Sequence, residues 1–171
     1  MRDTDVGKRE VERMALEPFV DSYSLLTGRK LEITGESESP DFEALIDGQP
    51  TGIELTEIRG IEDCFAYMDE VVRLVMKKSG SYQARGLLDR PIILVCHSTR
   101  PPLFEVRREL TSGLWDELGA FGFSQIWLMD LSDAYYSAQD WRRPADLFCL
   151  APQELFGFHR AYPERNRKPY G

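Results

Sequence analysis

The chain is predicted to fold as an α/β domain with a mixed central sheet flanked by helices, and three observations carry that expectation. Asp47-Gly48 joins two runs with strand character, the pattern of a tight hairpin. The run Ile92-Ile93-Leu94-Val95-Cys96 is apolar throughout, as in a strand covered on both faces. Amphipathic stretches with helical spacing precede the hairpin and separate it from the apolar run.

In chain order, a helix is expected over about 8–26, stopped at Gly28, with Pro18 kinking it or dividing it into two short helices. Residues 30–34 (KLEIT) alternate as a strand, and strands over 42–46 and 52–58 form the hairpin. A helix follows over about 61–84, and Pro91 opens the apolar strand. A further helix is expected over about 103–118, then a last strand over 124–129 (SQIWLM). A hairpin feeding a β-α-β crossover implies the mixed sheet. Beyond Asp130 the pattern weakens. Residues 131–158 read as irregular, with Trp141, Phe148, Phe156 and Phe158 packing over the sheet edge. Residues 1–158 read as one domain, and 159–171 (HRAYPERNRKPYG), with four basic residues and one acid, as a basic aromatic tail.

At 171 residues the chain should bury about 70% of its unfolded surface, enough core to need no disulfide or structural metal. Twenty-one basic against 29 acidic residues give a net charge of −8, which excludes a broad basic coat for nucleic acid. A local basic groove remains open, from Arg100, Arg107 and Arg108 or from the tail. The longest apolar run has five residues, too short for a membrane span, and the N-terminus lacks an apolar signal core, so a cytoplasmic protein is expected. Cys64, Cys96 and Cys149 read as small hydrophobes rather than disulfide partners. His97 and His159 lack zinc-site spacing, Ser98 has no nucleophile elbow, and no phosphate-binding GxxxxGK[ST] loop occurs.

The informative acids lie on the hairpin. Along the second strand Ile53 and Leu55 point to one face, plausible under a helix, while Glu54 and Thr56 point to the other. Counting back through the turn brings Asp41 beside Glu54–Thr56. Two converging carboxylates repel unless a proton or cation lies between them, and hard oxygens suit Mg²⁺ or Mn²⁺. Two exposed edge carboxylates with no shared role fit the spacing equally well.

Pro40-Asp41, twelve intervening residues, then Glu54-Leu55-Thr56 resembles the motif of the PD-(D/E)XK nuclease superfamily. The element order over residues 8–130 is similar to that superfamily's restriction-endonuclease-like αβββαβ core. The resemblance implies that Asp41 and Glu54 ligate Mg²⁺ or Mn²⁺ together with the Leu55 carbonyl. It also implies hydrolysis of a phosphodiester to a 5′-phosphate and a 3′-hydroxyl. Thr56 stands where the motif carries lysine, a departure that puts activity in doubt. In some members that lysine has moved to the following helix. There Lys78 lies beside Val71, Val75 and Tyr82, whereas Lys77 falls with Arg73 and Glu70 on the polar side. Lys78 is the candidate, against the alternative that it snorkels to solvent.

The superfamily often adds a first-helix glutamate. Glu12 lies within the arc of Val11, Ala15, Phe19 and Tyr23, while Glu10 and Glu17 face away; Glu17 stays open because Pro18 disturbs the wheel. Glu36, Glu38 and Glu57 read as solvated or hairpin-edge charges, and Gln83 as a surface helix-end residue. Two functions follow. One is a metal-dependent nuclease acting on nucleic acid, DNA ahead of RNA, with no membrane partner and a homodimer left open. The other is a catalytically degenerate nuclease-like module that binds a protein or nucleic acid, favoured by Thr56 and the net charge.

Overall fold

The structure is a computed structural model and describes residues 3–59, 61, 63–110, 121–132 and 144–161. Helix α1 (Asp3–Thr27) runs through Pro18 as one helix rather than two. The Ser22 hydroxyl donates to the Pro18 carbonyl one turn back. The helix stops at Gly28, whose φ of 71° favours glycine and whose N–H reaches the Ser24 carbonyl at 3.1 Å.

Seven strands follow: β1 (Leu31–Glu36), β2 (Phe42–Ile46), β3 (Gln49–Glu57), β4 (Ile92–Ser98), β5 (Gln125–Asp130), β6 (Leu147–Ala151) and β7 (Gly157–His159). They form one mixed sheet whose spatial order equals their sequence order. β3, β4 and β5 are mutually parallel, and the other neighbours are antiparallel. Asp47 and Gly48, with φ of 48° and 83°, make the two-residue turn that β2 and β3 need to match their twist.

Each face of the sheet carries a helix. Ala15, Phe19 and Tyr23 of α1 pack with Ile53, Leu55, Ile93, Val95 and Trp127. On the other face α2 (Cys64–Ala84), capped by Asp63 accepting from the Phe65 N–H at 3.0 Å, packs Tyr67, Val71, Val75 and Tyr82 with Leu94, Cys96 and Leu128. Cover on both faces is why β4 is buried at every position. Helix α2 begins at Cys64 rather than near residue 61.

The expectation of irregular chain over 131–158 is corrected by β6 and β7. β6 hides in the sequence because Leu147 and Cys149 face the α1 side while Phe148 and Leu150 face the α2 side. No polar residue alternates to mark it as a strand. Phe156 and Phe158 pack on Phe148, with ring centroids 5.3 and 6.4 Å away, and so belong to the α2-side core. His159 closes β7, and a ring nitrogen sits 2.8 Å from the Leu155 carbonyl, so the sheet extends one residue into the expected tail. Of the helix expected over 103–118, α3 (Leu103–Val106) is described. Residues 111–118, Trp141 and 162–171 lie outside the described residues. Cys96 and Cys149 are buried free thiols, pushed up to about 12 by burial. Among the described residues no helix is long and apolar enough to cross a membrane.

Candidate functional site

The position of Asp41 begins with a glycine. A Cβ on Gly52 would collide with Pro40 Cγ and meet Ile92 Cδ1 at 2.8 Å, so only glycine lets Pro40 lie this close to β3. Asp41 follows where the β2–β3 ladder ends, one step beyond the Phe42–Ile53 pair. Past that pair β3 has β4 on one side only. The even-numbered residues turn toward β4: the Gly52 N–H reaches the Pro91 carbonyl and the Ile58 N–H the His97 carbonyl. Leu55 therefore turns its N–H and carbonyl the other way, into the gap left by β2. Asp41 Oδ2 fills part of that gap, accepting the Leu55 N–H at 2.9 Å.

Glu54 points to the α2 face, as the alternation predicts. Lys78 Nζ lies 2.6 Å from its Oε1, and the Tyr82 hydroxyl donates to its Oε2 at 2.5 Å. Lys78 and Tyr82 are four residues apart on α2, so one helix turn presents both to one carboxylate. The Lys78 side chain is 25% exposed and Glu54 6%, so the lysine is held on an acid rather than extended to solvent.

Glu12 arrives from α1, 6% exposed, with Lys8 Nζ at 3.7 Å one turn earlier. Burial raises its pKa, partly offset by Lys8 and Arg9. Asp41, equally buried, is pushed up to about 7, first by burial and then by the Glu54 charge. The Leu55 N–H lowers it, Glu12 adds further repulsion and Lys78 relieves some of it. Three carboxylates thus act on one another, and two of them, Asp41 and Glu12, are held above the ordinary carboxylate range.

A cleft of about 380 Å³ opens here, at the carboxyl ends of β3 and β4. Glu12, Leu55, Thr56 and Lys78 line it together with His97, and Lys8 and Lys77 add cations. Thr56 is buried and brings no charge. Burial pushes the His97 imidazole down to about 4, so it stands neutral in the wall. Crevices beyond the carboxyl ends of parallel strands are common ligand sites, because loops and helix ends converge there on groups the sheet holds rigidly.

The four residues singled out for chemistry, Asp41, Glu54, Lys78 and Glu12, are brought together, with the Leu55 backbone between them. Val11, assigned to the buried arc, is 38% exposed and lines the cleft instead. Glu36 and Glu57 pair with Arg13 and Arg59 at exposed positions, and Gln83 bonds Ser79 on its own helix. Two site residues escape the sequence reading. Tyr82 reads as a core residue, with its four-residue offset from Lys78 the only hint of a polar role. Lys8 reads as the first residue of a helix.

Among the described residues no group of three or more His, Cys, Asp or Glu side chains is arranged to hold a metal ion. Magnesium needs fewer protein ligands, since it keeps several waters and is commonly bound through one or two carboxylates plus phosphate. The donor set fits such an ion: a buried Asp41 under like-charge repulsion, Glu54 beside it, and a backbone carbonyl facing the same gap. No family model, curated protein or solved structure matches the chain.

Proposed function

We propose that this chain is a divalent-metal-dependent nuclease of the PD-(D/E)XK type, hydrolysing a nucleic-acid phosphodiester in the cleft beside β3. One observation supports this above the rest: Asp41 and Glu54 lie near each other as buried acids at the end of the hairpin, with Lys78 reaching Glu54 from the following helix. Asp41, Glu54 and the Leu55 carbonyl would hold Mg²⁺ or Mn²⁺, and Glu12 would support it through water. Bound there, the metal would lower the pKa of a coordinated water and offset charge gathering on the phosphate. Lys78 takes the role that Thr56 cannot, bringing an ammonium to phosphate oxygens as their charge grows. Tyr82 fixes one Glu54 oxygen so that the carboxylate keeps its orientation when Lys78 moves toward substrate.

A second reading, a module that binds without cleaving, is favoured by the 2.6 Å Lys78–Glu54 pair, which already neutralises Glu54. The test is cleavage of labelled oligonucleotides in Mn²⁺ by wild type, Asp41→Ala and Glu54→Ala, beside Mn²⁺ titration calorimetry. Both variants should lose roughly 10³-fold or more in rate, and Asp41→Ala its Mn²⁺ uptake. Identical background cleavage in all three proteins rules out the nuclease. Uptake of Mn²⁺ without cleavage leaves the binding module.

A further inference from the structure

We infer that Phe104, Arg107 and Arg160 form a docking platform for single-stranded nucleic acid, apart from the acid site but on the same edge of the sheet. The choice of polymer rests on the nuclease reading; the platform itself rests on the following geometry.

Two basic stretches far apart in sequence meet on one ring. The Arg107 guanidinium carbon lies 3.8 Å from the Phe104 centroid, and that of Arg160 lies 5.2 Å from both Phe104 and Phe158. Among the described residues neither guanidinium has a carboxylate partner, whereas Arg13, Arg29, Arg59, Arg73 and Arg90 all pair with acids. Among the described residues these two arginines stack on a ring rather than pair with an acid, so no carboxylate there offsets their charge. A guanidinium laid on an aromatic face is held by its plane, while its N–H edge remains free to donate to phosphate. The same planes offer stacking surfaces to unpaired bases.

Placement ties the platform to the cleft. Phe104 belongs to α3, which follows the carboxyl end of β4, and Arg160 directly follows β7, which runs in the same direction as β4. Four strand spacings of about 4.8 Å put β7 about 19 Å from β3 along the sheet. A few nucleotides span that distance. The overall negative charge repels a polyanion at long range, which makes unpaired local cations the groups that can retain it. A duplex keeps its bases stacked and would offer only phosphates, whereas a single strand can use rings and charges together.

The experiment is fluorescence anisotropy of a short labelled oligothymidylate with the full chain in EDTA. Arg107→Gln with Arg160→Gln should weaken binding about tenfold. The slope of log affinity against log salt should shrink by about 1.4, the value for two phosphate contacts on a single strand. Thermal unfolding of the variant checks its fold. Arg107→Lys with Arg160→Lys should keep the salt slope and still lose affinity, because lysine has charge without a plane. An abasic oligomer bound as tightly as the thymidylate, or a double glutamine variant that binds like wild type, overturns the platform. Platform-dependent binding by a wild-type protein that cleaves nothing in Mn²⁺ removes the proposed catalysis and leaves the platform standing.

Discussion

Asp130, at the end of β5, accepts from the Ser132 N–H at 2.8 Å, the Ser132 hydroxyl and the Leu103 N–H at 3.0 Å. Among the described residues the Asp41 carboxylate, just ahead of β2, accepts from the Leu55 N–H alone and shares its surroundings with Glu54 and Glu12. Burial raises the pKa of both. At Asp130 three hydrogen bonds oppose that rise, with Asp146 adding some repulsion; at Asp41 two carboxylates deepen it. A saturated buried acid is a fold device, here tying the start of α3 to the end of β5. An undersupplied one, with like charges around it, is a group that a proton or a cation would stabilise.

The largest expected difference is in stability. Asp130→Ala leaves two backbone N–H groups without their acceptor and should lower the unfolding free energy by about 3 kcal/mol or more in urea denaturation. Asp41→Ala removes one acceptor but also relieves repulsion, so its loss should stay below about 1 kcal/mol. Equal losses at the two positions would end the distinction. Divalent cation is the next lever. Mg²⁺ at about 100 times its Kd should raise wild-type unfolding free energy by about 2.7 kcal/mol, leave Asp41→Ala unmoved, and stabilise Asp130→Asn as much as wild type. Differential scanning fluorimetry at fixed pH reads all three.

Local chemistry makes one half of this comparison legible before any coordinates. A two-residue Asp47-Gly48 turn sets the register, and counting from it brings Asp41 to Glu54. Wheel positions on α1 and α2 likewise select Glu12 and Lys78, because each helix buries one definite face. The other half depends mostly on contacts between elements distant in sequence. The Leu103 partner of Asp130 comes from the start of α3, 27 residues away, and Ser132 from two residues beyond the end of β5. β6 carries no alternation to mark it, since both of its faces are covered. The Tyr82 hydroxyl finds Glu54 only once α2 is docked against β3, and Arg160 meets Phe104 only through β7. Turn type and helix phase are written locally; the register of one element against another is not.

The smallest effect is the sharpest test of the repulsion itself. Asp41→Asn keeps a carbonyl oxygen for the Leu55 N–H and removes the charge facing Glu54 and Glu12. The Asp41 pKa of about 7 lies above the ordinary 3.8, so folding takes up a proton. Wild-type protein without metal is then favoured below about pH 4 and loses that contribution as pH rises through 7. The asparagine variant has no such proton to lose. Its stability should exceed wild type at pH 8, and the gap should close toward pH 4, as measured by urea denaturation in EDTA. Under the proposed metal role, saturating Mg²⁺ should reverse the order at pH 8, because the charge that is costly without the ion would be the charge that holds it. A gap that stays constant across this range would place the repulsion somewhere other than Asp41.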